Sequence, residues 1–439
     1  MNKGFSSVFV LLCLSSLVLF LLCVCEICSG YAAGSICENV CTMAGSSVLS
    51  EYQPDIQRRY GVFLVSSYEQ KLQVLNRFYI GQGLNGANIL VRPQLEECTV
   101  SVEGFSGLDT DLLAKQVDTL GLMFLGKDML DESGALQLLK DLLDPLDGRD
   151  ADEAAESLND LPPAPSDGSQ SGKSAAELKR EYDEAMDPDL GLHEGKSLVS
   201  VRKDGLPTSL LGIRPSSSLL RYAGQALLQD GIAPDAALQS WYIVHACSDL
   251  THQRDDTLLG LETEYILFGK GSDRENEEEM KTALFKVRTA IDLARNLRSE
   301  SKMAAYTAAA AAFPAVPQPL AVLILAAIDA AAQAKGEVQT LCSGGRVPIY
   351  GSSVEGQKGF GTYRDYAALL LMLLPRQTRM ARLMDMMQVN AAHMDGASFA
   401  FQDYCYGYTL QAEFNKKSIL GLFGDGTRRG RIEQTHAYR

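Results

Sequence analysis

Apolar positions along this chain form an unbroken run, several helical stripes and a few alternating stretches. The unbroken run comes first: Phe5 to Cys25 is 21 residues without a charge, close to the roughly 20 that a helix needs to cross a bilayer. After it, "YAAGSICENVCTMAGSSVLSEY" has no proline and many small residues, so the helix is predicted to continue beyond the membrane as far as Pro54. Spacing of three and four residues predicts further helices through Leu112, Val117 and Leu120, in "ALQLLKDLLDPL", in "SLLRYAGQALLQDG" and in "APDAALQSWYIVHACSDLTHQ". The stripe Met280, Leu284, Val287, Ile291 and Ala294 predicts an amphipathic core helix starting after Ser272. "YRDYAALLLMLLP" and "RQTRMARLMDMMQVN" read as two helices divided at Pro375, since proline removes an amide hydrogen and clashes with the turn before it.

Period-two alternation is rarer. "FQDYCYGYTLQAEF" puts Tyr404, Tyr406, Tyr408, Leu410, Ala412 and Phe414 on one side and gives the best strand signal. "ECTVSVEGFSGL", with Cys98, Val100 and Val102 on one face, and "YGVFLVSS" are also predicted strands, as is the stretch leading from Glu262 towards Gly269. On such a strand Glu262 and Glu264 would point the same way, as a solvated edge. A second uncharged run, Met303 to Ile328, is interrupted by Pro314, Pro317 and Pro319 and closed by Asp329. Two alanine-rich helices joined by a proline turn and buried in the domain fit it better than a second span. The predicted fold class is α+β, predominantly helical, with a single N-terminal transmembrane helix that extends into an exported globular region.

Composition divides the chain. Residues 1–4 form a short N-terminus, 5–25 the anchor, 26–146 a membrane-proximal α+β region, 147–189 an acidic linker rich in Pro, Ser and Gly, and 190–439 a distal α+β domain. A short helix is expected inside the linker at "SAAELKREYDEAM". The apolar run exceeds the roughly 7–15 residues of a cleaved signal and lacks a small-residue cleavage site at its end, so an uncleaved anchor is expected. Lys3 and the amino terminus precede the span, whereas Glu26 and Glu38 follow it. By the positive-inside rule the N-terminus stays cytoplasmic and the bulk of the chain lies outside a cell membrane, with the lipid bilayer as a partner. A formal charge of −15 and a pI near 4.9 argue against nucleic acid as a partner.

Candidate chemistry is sparse. In "ETEYILFGKGSDRENEEEM" the order Gly269, Lys270, Gly271, Ser272 lacks the earlier glycine that a phosphate loop requires. The acids that follow would repel an anion from the helix N-terminus, and Ser272 with Glu275 reads as a capping box. His245, Asp249, His252 and Asp256 share one face if the segment stays helical, and His and Asp are plausible zinc ligands. There is no H-E-x-x-H, so this remains a low-specificity match. No G-x-S-x-G elbow occurs. Of ten cysteines, Cys13, Cys23 and Cys25 lie in the span; disulfides among the outer ones are permitted without being implied. "RRGR", Arg428 to Arg431, reads as a solvated tail, with contact to an anionic surface as the alternative. No catalytic, cofactor-binding or metal residue is assigned, no cofactor is expected, and no small-molecule substrate is predicted.

Three segments carry a resemblance: "SSVLSEYQPDIQRRYGVFL"; "ETEYILFGKGSDRENEEEMKTALFKVRTAIDLARNL"; and "GGRVPIY" with "YRDYAALLLMLLPRQTRMARLMDMMQVN". They resemble an uncharacterised group from clostridia and related Gram-positive bacteria, itself similar to an enlarged TadE/TadG-type accessory protein of tight-adherence (Flp-type) pili. The most specific element is E-Y-I-L-x-G-K-x-S-D-x-x-N, from Glu264 to Asn276. The resemblance implies one N-terminal anchor, an exported domain and a non-enzymatic role beside other pilus or secretion-system proteins. It transfers no catalytic residue. One departure is clear: pilin-like leaders place a glutamate five residues after the cleaved glycine, and after Gly4 that position is Phe9. The alternatives are an anchored extracytoplasmic metal-dependent hydrolase using the His245 to Asp256 face, and an adhesive or ligand-binding surface protein.

Overall fold

Residues Lys3–Leu49 form one continuous helix of 47 residues, α1. Its first half is apolar on every side and exposed from Phe9 to Leu21; its most apolar 18-residue window has a mean hydropathy of 2.7 and is 6% covered by the rest of the chain. Such a helix is long and apolar enough to cross a bilayer. Its second half is amphipathic, burying Ala33, Cys37, Val40, Cys41, Ala44 and Val48 at spacings of three and four.

The computed structural model describes residues 3–85, 93–128, 155–161, 173–191, 234–254, 257–348, 360–395, 399–417 and 427–438. They fall into two compact units, Met1–Gln116 with Asp395–Arg439, and Val117–Met394. The predicted helices at "ALQLLKDLLDPL" and "SLLRYAGQALLQDG" lie outside the described residues.

In the first unit, α2 (Pro54–Tyr60), β1 (Val65–Ser66), α3 (Glu69–Asn85) and β2 (Pro93–Ser101) follow α1. The chain returns at its end with β5 (Tyr404–Cys405), β6 (Gly407–Lys417) and β7 (Thr427–Ala437). β2, β6 and β7 form an antiparallel sheet in that order, with Cys98 opposite Ala412 and Ala412 opposite Ile432. Residues placed with the distal region on compositional grounds therefore complete a sheet begun before Ser101, because Tyr408, Leu410, Ala412 and Phe414 share a core with α1, α3 and Cys98. The register slips between Leu95 and Glu97.

Two strand expectations need correcting here. "YGVFLVSS" yields only the two-residue β1. "RRGR" is no tail: Arg428 to Arg431 open β7, where Arg429 reaches Glu96 at 3.3 Å and Arg431 donates to Gln411 at 2.6 Å. Its charges hid the alternation, since of the partly buried positions of β7, Ile432, Gln434, His436 and Ala437, only Ile432 is a large apolar residue. Close packing fixes Gly45, where a Cβ would lie 2.2 Å from the His436 ring.

The second unit is mainly helical. α4 (Thr110–Asp128) starts at Asp109, whose carboxylate accepts the Asp111 amide at 2.8 Å, and enters this unit at Val117. α5 (Ala175–Met186) is the short helix expected in the linker, held by a Ser174–Glu177 capping box. Leu178 and Tyr182, together with Ala155 and Leu158, are buried against the alanine-rich helices, so these acidic-linker residues do pack. α6 (Pro234–Ala246), α7 (Glu262–Phe268), α8 (Asp273–Arg298), α9 (Glu300–Ala310) and α10 (Gln318–Cys342) follow. β3 (Val347–Pro348) pairs with β4 (Phe360–Gly361), and α11 (Tyr363–Leu373) and α12 (Arg376–Asp395) complete the unit. Glu262 to Phe268 is thus helical, not a strand, and Glu262 and Glu264 are fully buried. α10 also passes the length and hydropathy test for a span, but 44% of its window is covered, with Ala321, Ile324, Ala326 and Ala327 in this unit's core.

Candidate functional site

The segment Glu264 to Asn276 is built as a helix–turn–helix joint, held by hydrogen bonds within it and to Gly260, Leu250 and Tyr363. Gly269 ends α7 in the left-handed region at φ 64°, its amide donating to the Tyr265 carbonyl at 2.7 Å. Ser272 starts α8 by accepting the Glu275 amide at 3.3 Å. The Asn276 side chain accepts from the Lys270 amide at 2.9 Å and donates to the Lys270 carbonyl at 3.2 Å, while Asp273 accepts the Gly260 amide at 2.8 Å. The Gly269, Lys270, Glu275 and Asn276 amides are already taken, and the glycines make a turn.

Around this joint lies a group of buried charges. Glu262 accepts from the Ser248 amide at 2.7 Å and from the Asn390 side chain, and Asn390 in turn accepts from Leu258. Glu264 accepts from the Leu250 amide at 2.9 Å and from the Tyr363 hydroxyl. Burial pushes the Glu264 carboxyl up to about 8; the Tyr363 hydrogen bond opposes this and the nearby Asp249 adds to it. Glu264 is therefore mostly a neutral acid at pH 7. Arg382 donates to the Ile266 and Leu267 carbonyls, capping the C-terminal end of α7.

A second cluster centres on Arg288, which is fully buried. It donates to Glu337 at 2.6 Å, to the Tyr366 hydroxyl at 2.7 Å and to the Pro348 carbonyl at 3.2 Å, and pairs with Asp292. Burial raises the Asp292 carboxyl to about 7 against the pull of Arg288. On the same face Glu277 and Lys281 pair at 2.7 Å with both side chains almost covered.

Of the proposed metal face, Asp249 and His252 approach each other, with His252 Nδ1 3.7 Å from the Asp249 carboxylate, and His245 belongs to a different element. α6 stops at Ala246, so the helical repeat ends before Asp249. His245 turns its Nδ1 to the Trp241 carbonyl at 2.8 Å and stacks on Phe124. Asp249 occupies a turn, accepting the Thr251 and His252 amides at 2.8 and 2.9 Å and pairing with Arg364 at 2.7 Å. The His252 side chain is 62% exposed, and Asp256 lies outside the described residues. Among the described residues no group of three or more His, Cys, Asp or Glu could hold a metal ion. None of the ten cysteines is joined in a disulfide.

Sequence reasoning missed this buried network. One signal was present: Glu277, Lys281, Arg288 and Asp292 follow steps of four, seven and four, a second stripe on α8 beside the apolar one. Buried ion pairs need good geometry to offset desolvation, and they specify partners more than they add stability. Glu262, Glu264, Arg288 and Asp292 have no solvent exposure. The arrangement locks helices together.

The profile of a family of unknown function (DUF5702) matches residues 195–355. That stretch contains the Glu264 to Asn276 joint and, of the Arg288 cluster, Arg288, Asp292, Glu337 and Pro348 but not Tyr366. No curated protein and no solved structure matches the chain.

Proposed function

We propose that the protein is a single-pass, membrane-anchored, non-enzymatic accessory or minor pilin-like component of a tight-adherence pilus or secretion system, with its N-terminus cytoplasmic and the bulk of the chain outside. The observation that carries this reading is α1. One unbroken helix leaves its first half apolar and uncovered and lends its second half as the spine of an antiparallel sheet. Such a helix can sit in a bilayer among neighbouring helices while presenting a folded head, which is how a pilin-like subunit works. The buried ion pairs of the second unit, with Arg288 joining α8 to α10 through Glu337, support a scaffold over a catalyst.

Deletion of the gene in its host tests the proposal, with piliation and surface adhesion as readouts. Loss or shortening of pili, restored by the full chain and not by a chain lacking residues 5–25, is the expected result. Unchanged pili and adhesion would refute it.

A further inference from the structure

We infer that the end of the sheet holding Lys416, Lys417, Arg428, Arg429 and Arg431 rests on the membrane surface and binds anionic lipid head groups. The inference depends on α1 being the anchor, as proposed above, and does not depend on a pilus. Contacts between α1 and β7 supply the placement. The Gln434 amide group donates to the Glu38 carbonyl at 3.2 Å and accepts from Thr42 at 3.2 Å, and Tyr438 donates to the Leu49 carbonyl.

Four strand residues, about 13 Å at roughly 3.3 Å each, thus span the same distance as seven to eleven helix residues, about 10–17 Å at 1.5 Å each. Helix and strand run side by side in the same sense. Arg431, Arg429 and Arg428 come three, five and six residues before Gln434, so they stand roughly 10–20 Å nearer the membrane. That height matches α1 at about residues 27–33, within roughly 12 Å of Cys25 along the helix. Lys416 is opposite Arg428 and Lys417 opposite Thr427, which brings them to the same end.

Charge singles this end out. In a chain of formal charge −15, five cations gather where the sheet approaches the anchor. Glu96 pairs with Arg429, and Glu413, with Glu97 opposite it, faces Arg431 in the register, so the five cations of the sheet's end outnumber three acids. The Arg429 side chain is 74% exposed even so. A cation this close to an anionic bilayer adds attraction of about fivefold in affinity per residue, falling off within a Debye length.

The test is lipid selectivity of the full chain. The protein, purified in a non-ionic detergent, is offered equal amounts of phosphatidylglycerol and phosphatidylcholine, and retained lipid is weighed by native mass spectrometry. Enrichment of phosphatidylglycerol by about tenfold or more at low salt, falling as salt screens the arginines, is expected. Arg428→Gln, Arg429→Gln and Arg431→Gln combined should bring the ratio close to one, while buried Cys41 and Cys98 stay protected from thiol reagents. No enrichment, enrichment that ignores salt, or enrichment that survives the triple variant would overturn the inference. Equal displacement of phosphatidylglycerol by millimolar inorganic phosphate would also overturn it, as a free-anion site. Failure of the unaltered chain to float with neutral vesicles would instead remove the anchor itself.

Discussion

The Tyr363 hydroxyl donates to the Glu264 carboxyl at a point where neither side chain meets solvent. This contact joins α7, inside the most specific sequence motif of the chain, to the first residue of α11. Its energetics depend on a proton. Burial lifts the Glu264 carboxyl from 4.5 to about 8, so the folded state holds a proton that the unfolded state releases. That contribution to stability is fully present below pH 4.5 and is lost as pH rises towards 8, by a few kcal/mol at most. Denaturation followed by the fluorescence of Trp241, the chain's one tryptophan, should show this decline, and Glu264→Gln should lessen it, the part due to the raised carboxyls of Asp273, Asp292 and Asp385 remaining.

Gly269 faces a double constraint. Its φ is 64°, and a Cβ there would lie 2.8 Å from the Arg382 guanidinium. Gly269→Ala is expected to cost about 2–4 kcal/mol, combining backbone strain with loss of the Arg382 bonds to the α7 carbonyls. Chemical denaturation monitored at Trp241 measures it.

These two residues also show how far the sequence could be read. The turn at Gly269 and the cap at Ser272 were legible because glycine and serine have local roles that need no knowledge of the fold. The helical state of Glu262 to Phe268 was not, since a seven-residue run with alternating acids fits a strand equally well. Burial of Glu264 depends on Tyr363, 99 residues away, and no local pattern announces such a partner. β7 was missed for a different reason: its partner β6 is close in sequence, but its own alternation sets a single large apolar residue, Ile432, among charged and polar ones. The long apolar helix at the N-terminus was plain, because length and apolarity are read directly from the sequence.

Arg288 neutralises two carboxylates in a place without solvent. Arg288→Met should destabilise the helical unit by about 3–5 kcal/mol, since Glu337 and Asp292 would lose their buried counter-charge. Adding Asp292→Asn should recover part of that loss. A double-mutant cycle on the same fluorescence signal measures the coupling, and simple additivity would show that the residues act independently.

At Gly45 the helix comes as close to β7 as backbone permits. Gly45→Val drives a side chain into the His436 ring, 2.2 Å from where a Cβ would sit. A cost of about 1–3 kcal/mol is expected, with faster amide hydrogen exchange along Thr427–Ala437 and little change along α8.

The assembly role is tested most directly by mild crosslinking of intact cells, followed by purification of the full chain and identification of what comes with it. Tight-adherence pilus components linked to Met1–Gln116 or Asp395–Arg439, the unit built on α1, are the predicted result. Recovery of the anchored protein without any such component, across repeated preparations from piliated cells, would contradict the role.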